Sequence, residues 1–353
     1  MRKFKHLDYS KRQQIERMLK KKYSVKEIAA CLDVAINTIY LELKRGACEQ
    51  LTCGLEKEVR YSADFAQYKY RCNLEKKGKA PKVILDKKLN TYIKEMVKKQ
   101  KYSPEAIVYT IKNNHIKFEQ NIASYTTIYT AIKRGNIKGV KPKDLPRGAE
   151  YKKRITKERK HKKEVAGTSI ELRPTDILTR EEFGHWEMDC VVGKSSNRKT
   201  LLVFTERKTR MEIIEKLKAH TTDEVVKALN RIEKRYYSSF YKIFKTITVD
   251  NGCEFSDSKG MEKALYRVGK RTKVYFCHPN SPNERGSNEN CNLLIRRFLP
   301  KGTNFDECVT TKKVKEIEDW VNTYPRGIHG GRCAEELFIE ELAKLDIDYY
   351  YLC

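Results

Sequence analysis

The chain has 353 residues, enough for two or three folding units with a substantial core. Lys and Arg number 74 against 47 Asp and Glu, a formal net charge of +27, which points to a polyanionic partner and above all to nucleic acid. No apolar run approaches the roughly 18 residues of a membrane span. The basic opening MRKFKHLDYSKRQQ has no apolar stretch behind it, so it does not read as a secretory signal.

Residues 7–46 read as helices broken by short turns. Ser24 and Glu27 fit a capping box, and SVKEIAACL places Val25, Ile28, Ala29 and Leu32 on one face. A turn at Asp33-Val34-Ala35 leads into a second helix, about 37–45, with Ile36, Ile39, Tyr40 and Leu43 at helical spacing. The pair resembles a helix-turn-helix, with Asp33 where such turns usually carry Gly. Asn37, Thr38, Leu41 and Lys44 are its outward positions. Asn37, Thr38, Tyr40 and Lys44 are the candidates for DNA contact.

A similar arrangement recurs at 86–134. A helix over 87–98 turns Leu89, Ile93, Met96 and Val97 inward, and Ser103-Pro104-Glu105 is a strong helix start. SYTTIY opens another helix that ends at Lys133-Arg134-Gly135, with Thr126, Thr127 and Lys133 as candidate DNA contacts. The run YKKRITKERKHKK (151–163) has eight Lys or Arg and one Glu, the composition of a solvated linker that can also neutralise phosphates.

From residue 181 the rhythm turns to strands and helices. GHWEMDCVVG alternates, so Trp186, Met188, Cys190 and Val192 share one face and Glu187, Asp189 and Val191 the other. TLLVFTE and MEIIEKL complete a three-stranded meander. A helix over 222–237, the strand KTITVD, a helix near 258–269, the strand KVYFC and a long helix after Ser281-Pro282 follow. A helical stretch over 312–345 carries a stripe of Val314, Ile317, Trp320 and Val321. The expected architecture is multi-domain: all-α helix-turn-helix modules at 1–50 and 51–140, a basic linker at 141–180, and an α/β ribonuclease-H-like core at 181–345.

Three acids stand out in this order. Asp189 lies within the first strand of the core, Asp250 ends the fourth, and Glu289 lies in the helix that follows. Hard carboxylate oxygens from separate segments suit Mg²⁺. Two such ions about 3.5–4 Å apart support in-line phosphodiester chemistry. Taken singly, each acid has an ordinary reading. Asp189 could be an edge charge, Asp250-Asn251-Gly252 is a common turn tripeptide, and Glu289 could be a helix-surface residue. Glu284 competes as the third acid, although Ser281-Pro282-Asn283-Glu284 reads as a capping box. Eleven Cys, an odd number, read as reduced thiols. Cys48, Cys53 and Cys72 lack a CxxC pair or a suitably spaced His, so no zinc site is expected there.

At FGHWEMD, TVDNGCEF and HPNSPNERGSNENCNLLIRRFLPKGTNF the chain resembles the transposases of the insertion sequence thirty family. The resemblance runs from LDYSKRQQIERMLKKKYSVKEIAACLDVAINTIYLELKRG, through YSPEAIVYTI and SYTTIYTAIKRG, to WVNTYPRGIHGGRCAEELF. It implies a DDE transposase with the triad Asp189, Asp250 and Glu289, holding two Mg²⁺ or Mn²⁺ ions. Glu289 stands between Gly286 and Asn292 as in the Gly-x-x-Glu-x-x-Asn arrangement of the wider group. The sequence departs from the family at Met188 and Leu293, where Gly is common, at Cys291 in place of Thr, and in a longer spacing between the second and third acids. The resemblance further implies binding to the terminal inverted repeats of a mobile element, strand cleavage, transfer of the freed 3′-hydroxyl to target DNA, a homo-oligomer on double-stranded DNA, and a place in the bacterial cytoplasm or nucleoid. Arg296, Arg297 and Lys301 are candidate phosphate contacts or a solvated basic face. Asn251 is expected to shape the site, and His185 and His278 to pack or hydrogen-bond beside it. One rival reading is a DNA-binding repressor or domesticated protein that keeps the fold without the reaction. Another is a recombinase with a Ser or Tyr nucleophile.

Overall fold

The computed structural model describes residues 6–51, 56–75, 86–120, 124–146, 167–278, 281, 284 and 286–349. The basic run 151–163, Cys53, Pro282 and Asn283 lie outside the described residues. The chain divides into two compact units, Met1–Pro81 and Lys82–Cys353.

The first unit holds α1 (Tyr9–Lys20), α2 (Val25–Cys31), α3 (Ile36–Gly46), a hairpin of β1 (Ala47–Leu51) and β2 (Lys57–Tyr61), and α4 (Ala63–Glu75). The capping box forms as expected: the Ser24 hydroxyl accepts from Glu27 N while the Glu27 carboxylate accepts from Ser24 N. Asp33 takes the left-handed conformation, φ 50°, that the tight turn requires. Ile15, Ile28, Ala29, Leu32 and Ile39 close the core. Two positions assigned to its apolar stripe, Ile36 and Tyr40, are exposed instead. Three helices around so small a core can cover only a narrow stripe of α3. At the centre, Arg12 Nε meets Glu42 Oε1 at 2.7 Å, with both side chains 1% exposed. This unit continues past residue 50, because α4 packs on α1 and α3. Residues 51–75 therefore belong with the first helix-turn-helix and not with a second module, as the sequence boundaries had it.

The second unit begins with α5 (Lys87–Lys98), α6 (Pro104–Asn113) and α7 (Tyr125–Lys133). Leu89, Ile93, Val97, Ile107, Ile128 and Ile132 form their shared core. The Ser103 hydroxyl caps α6 and lies 2.8 Å from the Tyr324 hydroxyl, Trp320 Nε1 donates to Gln100 O, and Asn113 Nδ2 donates to Gly331 O. Two of these partners lie near the end of the long C-terminal helix and one in the turn beyond it, so the second helical module and the sheet form one body.

The sheet has six strands: β3 (Thr168–Ser169), β4 (His185–Val192), β5 (Thr200–Glu206), β6 (Glu212–Leu217), β7 (Thr246–Val249) and β8 (Lys273–Phe276), in the order β3-β8-β7-β4-β5-β6. The β4-β5-β6 meander is antiparallel, whereas β7 runs parallel to both β4 and β8. β5 is buried throughout because strands flank it on both sides and helices cover both faces. Trp186, Met188, Leu202 and Phe204 pack one face with α9 (Thr222–Tyr236), through Val225, Leu229 and Ile232. Val191, Leu201 and Val203 pack the other against α12 (Gly286–Ile295) and α14 (Thr311–Thr323). Short helices α8 (Asp176–Thr179), α10 (Phe240–Ile243), α11 (Ser258–Glu262) and α13 (Phe305–Cys308) fill connections, and α15 (Ala334–Ala343) closes the chain's described end. The alternation expected for β4 is therefore realised as two cores on opposite faces.

The structure differs from these expectations in three places. β3 lies inside the expected linker, since two residues paired to a sheet edge leave no periodic signature. The helix expected over 258–269 stops at Glu262. There the buried Arg271 guanidinium donates to the carbonyls of Gly260 and Met261, and Gly269 (φ +106°) lets the chain return in a Lys263–Lys270 bridge. The helix expected after Ser281-Pro282 begins only at Gly286. No helix among the described residues is long and apolar enough to cross a membrane.

Candidate active site

The first acid lies on β4, and the second directly follows β7, the strand paired to it. The parallel pairs His185–Thr246, Trp186–Ile247 and Glu187–Thr248 share one offset. Continued by two residues, that offset runs to Asp189 and to Asp250, the residue just past the end of β7. Asp189 is half-buried. Its Oδ1 accepts from Cys190 N and its Oδ2 from Asn292 Nδ2, each at 2.9 Å. Asp250 Oδ1 accepts from Gly252 N at 2.9 Å, so the acid is also the first residue of the turn that its tripeptide suggested. Asn251 Nδ2 donates to Cys277 O at 2.7 Å and ties the ends of β7 and β8 together.

The third acid comes in on α12. Glu289 is exposed and lies one helical turn before Asn292, the residue bonded to Asp189. A residue that the sequence reading assigned only to a strand face sets this approach. Glu187 is fully buried, and its Oε2 accepts from Asn288 N at 2.9 Å in the first turn of α12. A carboxylate on the first-turn N–H groups stabilises a helix start. Here it fastens the helix of Glu289 to the strand of Asp189. Arg207 Nε lies 3.4 Å from Glu187 Oε1, and burial lowers the guanidinium to about 10. The signal available in sequence was the acid two residues before Asp189, at the same parity on the strand.

Glu284 lies outside the helix. Its carboxylate accepts from His278 N at 2.9 Å and meets His278 Nδ1 at 2.7 Å, while His278 Nε2 meets Glu171 at 3.0 Å. Hydrogen bonds to Glu284 and then Glu171 raise His278. Glu284 thus spends its carboxylate on His278 in place of the capping-box role expected of it with Ser281. His185 pairs with Thr246 and Glu182 and is lowered by burial. Both histidines are hydrogen-bonded, His278 near the end of β8 and His185 at the start of β4, four residues before Asp189.

As a set, the carboxylates of Asp189, Asp250 and Glu289 do not all lie within 4.8 Å of one another. Among the described residues the group that does is Cys190, His220 and Glu254. The neighbourhood is strongly negative: burial first, then Glu254, Asp189 and Asp250, push the Cys190 thiol well up.

The basic candidates divide. Asn37, Tyr40 and Lys44 are exposed along α3 and Thr38 is half-buried. On α7, Thr126 and Lys133 are exposed and Thr127 is half-buried. Arg296 Nη2 donates to Val192 O at 2.9 Å. Arg297 Nη1 donates to Lys101 O and its guanidinium lies 4.8 Å from the Tyr324 ring centre. These two arginines brace α12 against β4 and the second helical module, and Lys301 is exposed.

A helix-turn-helix domain family matches residues 3–46. Along nearly its whole length the chain is similar to curated transposases. It is 31% identical to the "Probable transposase for insertion-like sequence element IS1161" of Streptococcus salivarius, over 95% of this chain and 94% of that protein. It is 32% identical to the transposase for insertion sequence element IS4351 of Bacteroides fragilis, over 91% and 92%. It is 29% identical to the transposase InsI for insertion sequence element IS30A of Escherichia coli K12, over 97% and 85%. With a helix-turn-helix at its start and this identity across almost the full length of its relatives, the chain belongs to the IS30 family of insertion-sequence transposases.

Proposed function

We propose that this transposase binds the terminal inverted repeats of its element, cuts there and transfers the freed strand, with Asp189, Asp250 and Glu289 as the catalytic acids of a ribonuclease-H-like core. The observation that carries the reading is the pairing of β4 with β7, whose offset runs on to Asp189 and to Asp250 just past the end of β7, with α12 bonded to Asp189 through Asn292. A meander followed by parallel strands and covering helices supports the fold assignment.

The donor set fits Mg²⁺ or Mn²⁺: its three side chains offer oxygen ligands only. Hydrated ions keep waters, and two of them span more than one coordination shell, so three carboxylates need not close on a single point. When bound, the ions would supply an activated water and neutralise charge on the leaving oxygen. The protein's own part is positional. Asn292 and the Cys190 amide orient Asp189, the Gly252 amide orients Asp250, and Glu187 holds α12 in place. The exposed Asn37, Tyr40 and Lys44 of α3, with Thr38 at its edge, would read the repeat. Thr126, Thr127, Lys133 and Lys301 would add contacts whose strength falls with salt. Two element ends handled together call for a homo-oligomer on DNA.

Cleavage and strand transfer on element-end duplexes with Mg²⁺ or Mn²⁺ test the reading. Asp189→Asn and Asp250→Asn should each lower cleavage by at least about 10²–10³-fold while repeat binding stays within about twofold. Glu289→Gln should behave likewise and Glu284→Gln should not. Undiminished cutting by Asp189→Asn would refute the site. A wild-type protein that binds the repeats but never cuts would be a repressor.

A further inference from the structure

Cys190 projects from β4 to the face opposite Asp189. Two other segments meet it there. His220 lies in the connection between β6 and α9, and Glu254 in the short 3-10 turn Cys253–Phe255 after β7. The Cys190 Sγ, one His220 ring nitrogen and one Glu254 oxygen all lie within 4.8 Å of one another. His220 Nε2 and Glu254 Oε1 are already 2.9 Å apart. Gly252 leaves room for that carboxylate: a Cβ there would stand 2.5 Å from Glu254 Oε2 and would make it shift.

We propose that Cys190, His220 and Glu254 form a second metal site, for a zinc-class transition ion, distinct from the carboxylate site on the other face of the strand. A thiolate, an imidazole and a carboxylate are the donors that a borderline-soft ion accepts and Mg²⁺ does not. Bond lengths of about 2.0–2.3 Å put the ligand atoms of a tetrahedral zinc centre about 3.3–3.8 Å apart, so the site closes with side-chain shifts of about 1 Å. The exposed edge of His220 leaves the fourth position to water. The ligands come from β4, from the start of α9 and from the turn after Asp250. A bound ion therefore staples the two loops that flank the acids without touching substrate. The plain alternative is a His220–Glu254 ion pair beside an idle thiol, and it makes opposite predictions.

The inference does not depend on cleavage, and its test does not read cleavage. The full-length protein, stripped with a chelator, is titrated with Zn²⁺ against a chromogenic competitor, and with Co²⁺ to look for a thiolate-to-cobalt charge-transfer band. One tight equivalent and a cobalt–thiolate band are expected. Cys190→Ser should abolish the band. Cys190→Ser and His220→Ala should weaken zinc binding by more than about 100-fold, beyond the 10–100-fold typical of changes outside the ligand set. The double variant Asp189→Asn, Asp250→Asn should bind zinc as the parent does. A band that survives Cys190→Ser, or zinc binding lost in the double aspartate variant and kept in His220→Ala, would overturn the site.

Discussion

The two helical modules look alike in sequence and are held in different ways. In each, a side-chain-capped helix is followed by a helix that runs into a Lys-Arg-Gly sequence, 44–46 in the first and 133–135 in the second. The first closes on itself: Arg12 and Glu42 are buried against each other, and Ile15, Ile28 and Ile39 complete its core. The second shares its framework with the sheet unit, through Ser103 and Tyr324, Trp320 and Gln100, and Asn113 and Gly331. Capping and periodicity specify helices and turns, but they say nothing of what the outer faces meet. A module that carries its own buried ion pair can act as an independent reader of DNA. One braced by the C-terminal helices is part of the sheet-containing unit.

That contrast can be broken. Removing one partner of a buried ion pair leaves an uncompensated charge and typically costs about 3–5 kcal/mol. Arg12→Ala should therefore unfold the first unit in a denaturant titration and abolish specific repeat binding, while the transition of the sheet unit stays where it was. A joint loss of both transitions would show that the units do not fold separately.

The second effect is one of pH and belongs to the sheet unit. Glu212 is fully buried on β6, and burial, outweighing the nearby Arg326, pushes its carboxyl up to about 8. Its pKa in the unfolded chain is near 4.5, so the folded state binds the extra proton. The stabilisation is whole below about pH 4.5 and is lost as pH rises toward 8, by at most about 1.4 kcal/mol per pH unit. Glu212→Gln should flatten the melting temperature of this unit between pH 5 and 8 and leave the first unit's unchanged; an unaltered slope would remove Glu212 as its source.

The smallest effect sharpens the contrast at the brace itself. Tyr324→Phe removes the hydroxyl that bonds Ser103 and should cost about 1 kcal/mol. Hydrogen exchange should rise in α6, with α2 and α3 unaffected. Equal rises in both modules would argue against a local brace.

Much of this molecule was legible before any tertiary contact was known. The strands β4 to β8 and most of the helices announce themselves by period. Ser24, Asp86 and Ser103 cap the helices they precede. The acids at 189 and 250 stand out because phosphodiester chemistry calls for oxygen ligands in an otherwise basic chain. Less was legible wherever a residue's meaning depends on a distant partner. Arg271 ends α11 by bonding carbonyls ten residues back, and Glu284 spends its carboxylate on His278. Tyr40 follows the apolar period of α3 and is nonetheless exposed.

Local periodicity, capping chemistry and net charge, read from the chain alone, determined the strands β4 to β8, most of the helices, the helix-turn-helix and the candidate acids. Those signals act over a few residues, where backbone geometry leaves few choices. Tertiary structure decided which unit residues 51–75 join, which helix face is covered, that Glu187 and not a surface group seats α12, and that Cys190, His220 and Glu254 meet. Such outcomes turn on parallel strand register and on buried charges finding partners, and both are properties of segments far apart in the chain.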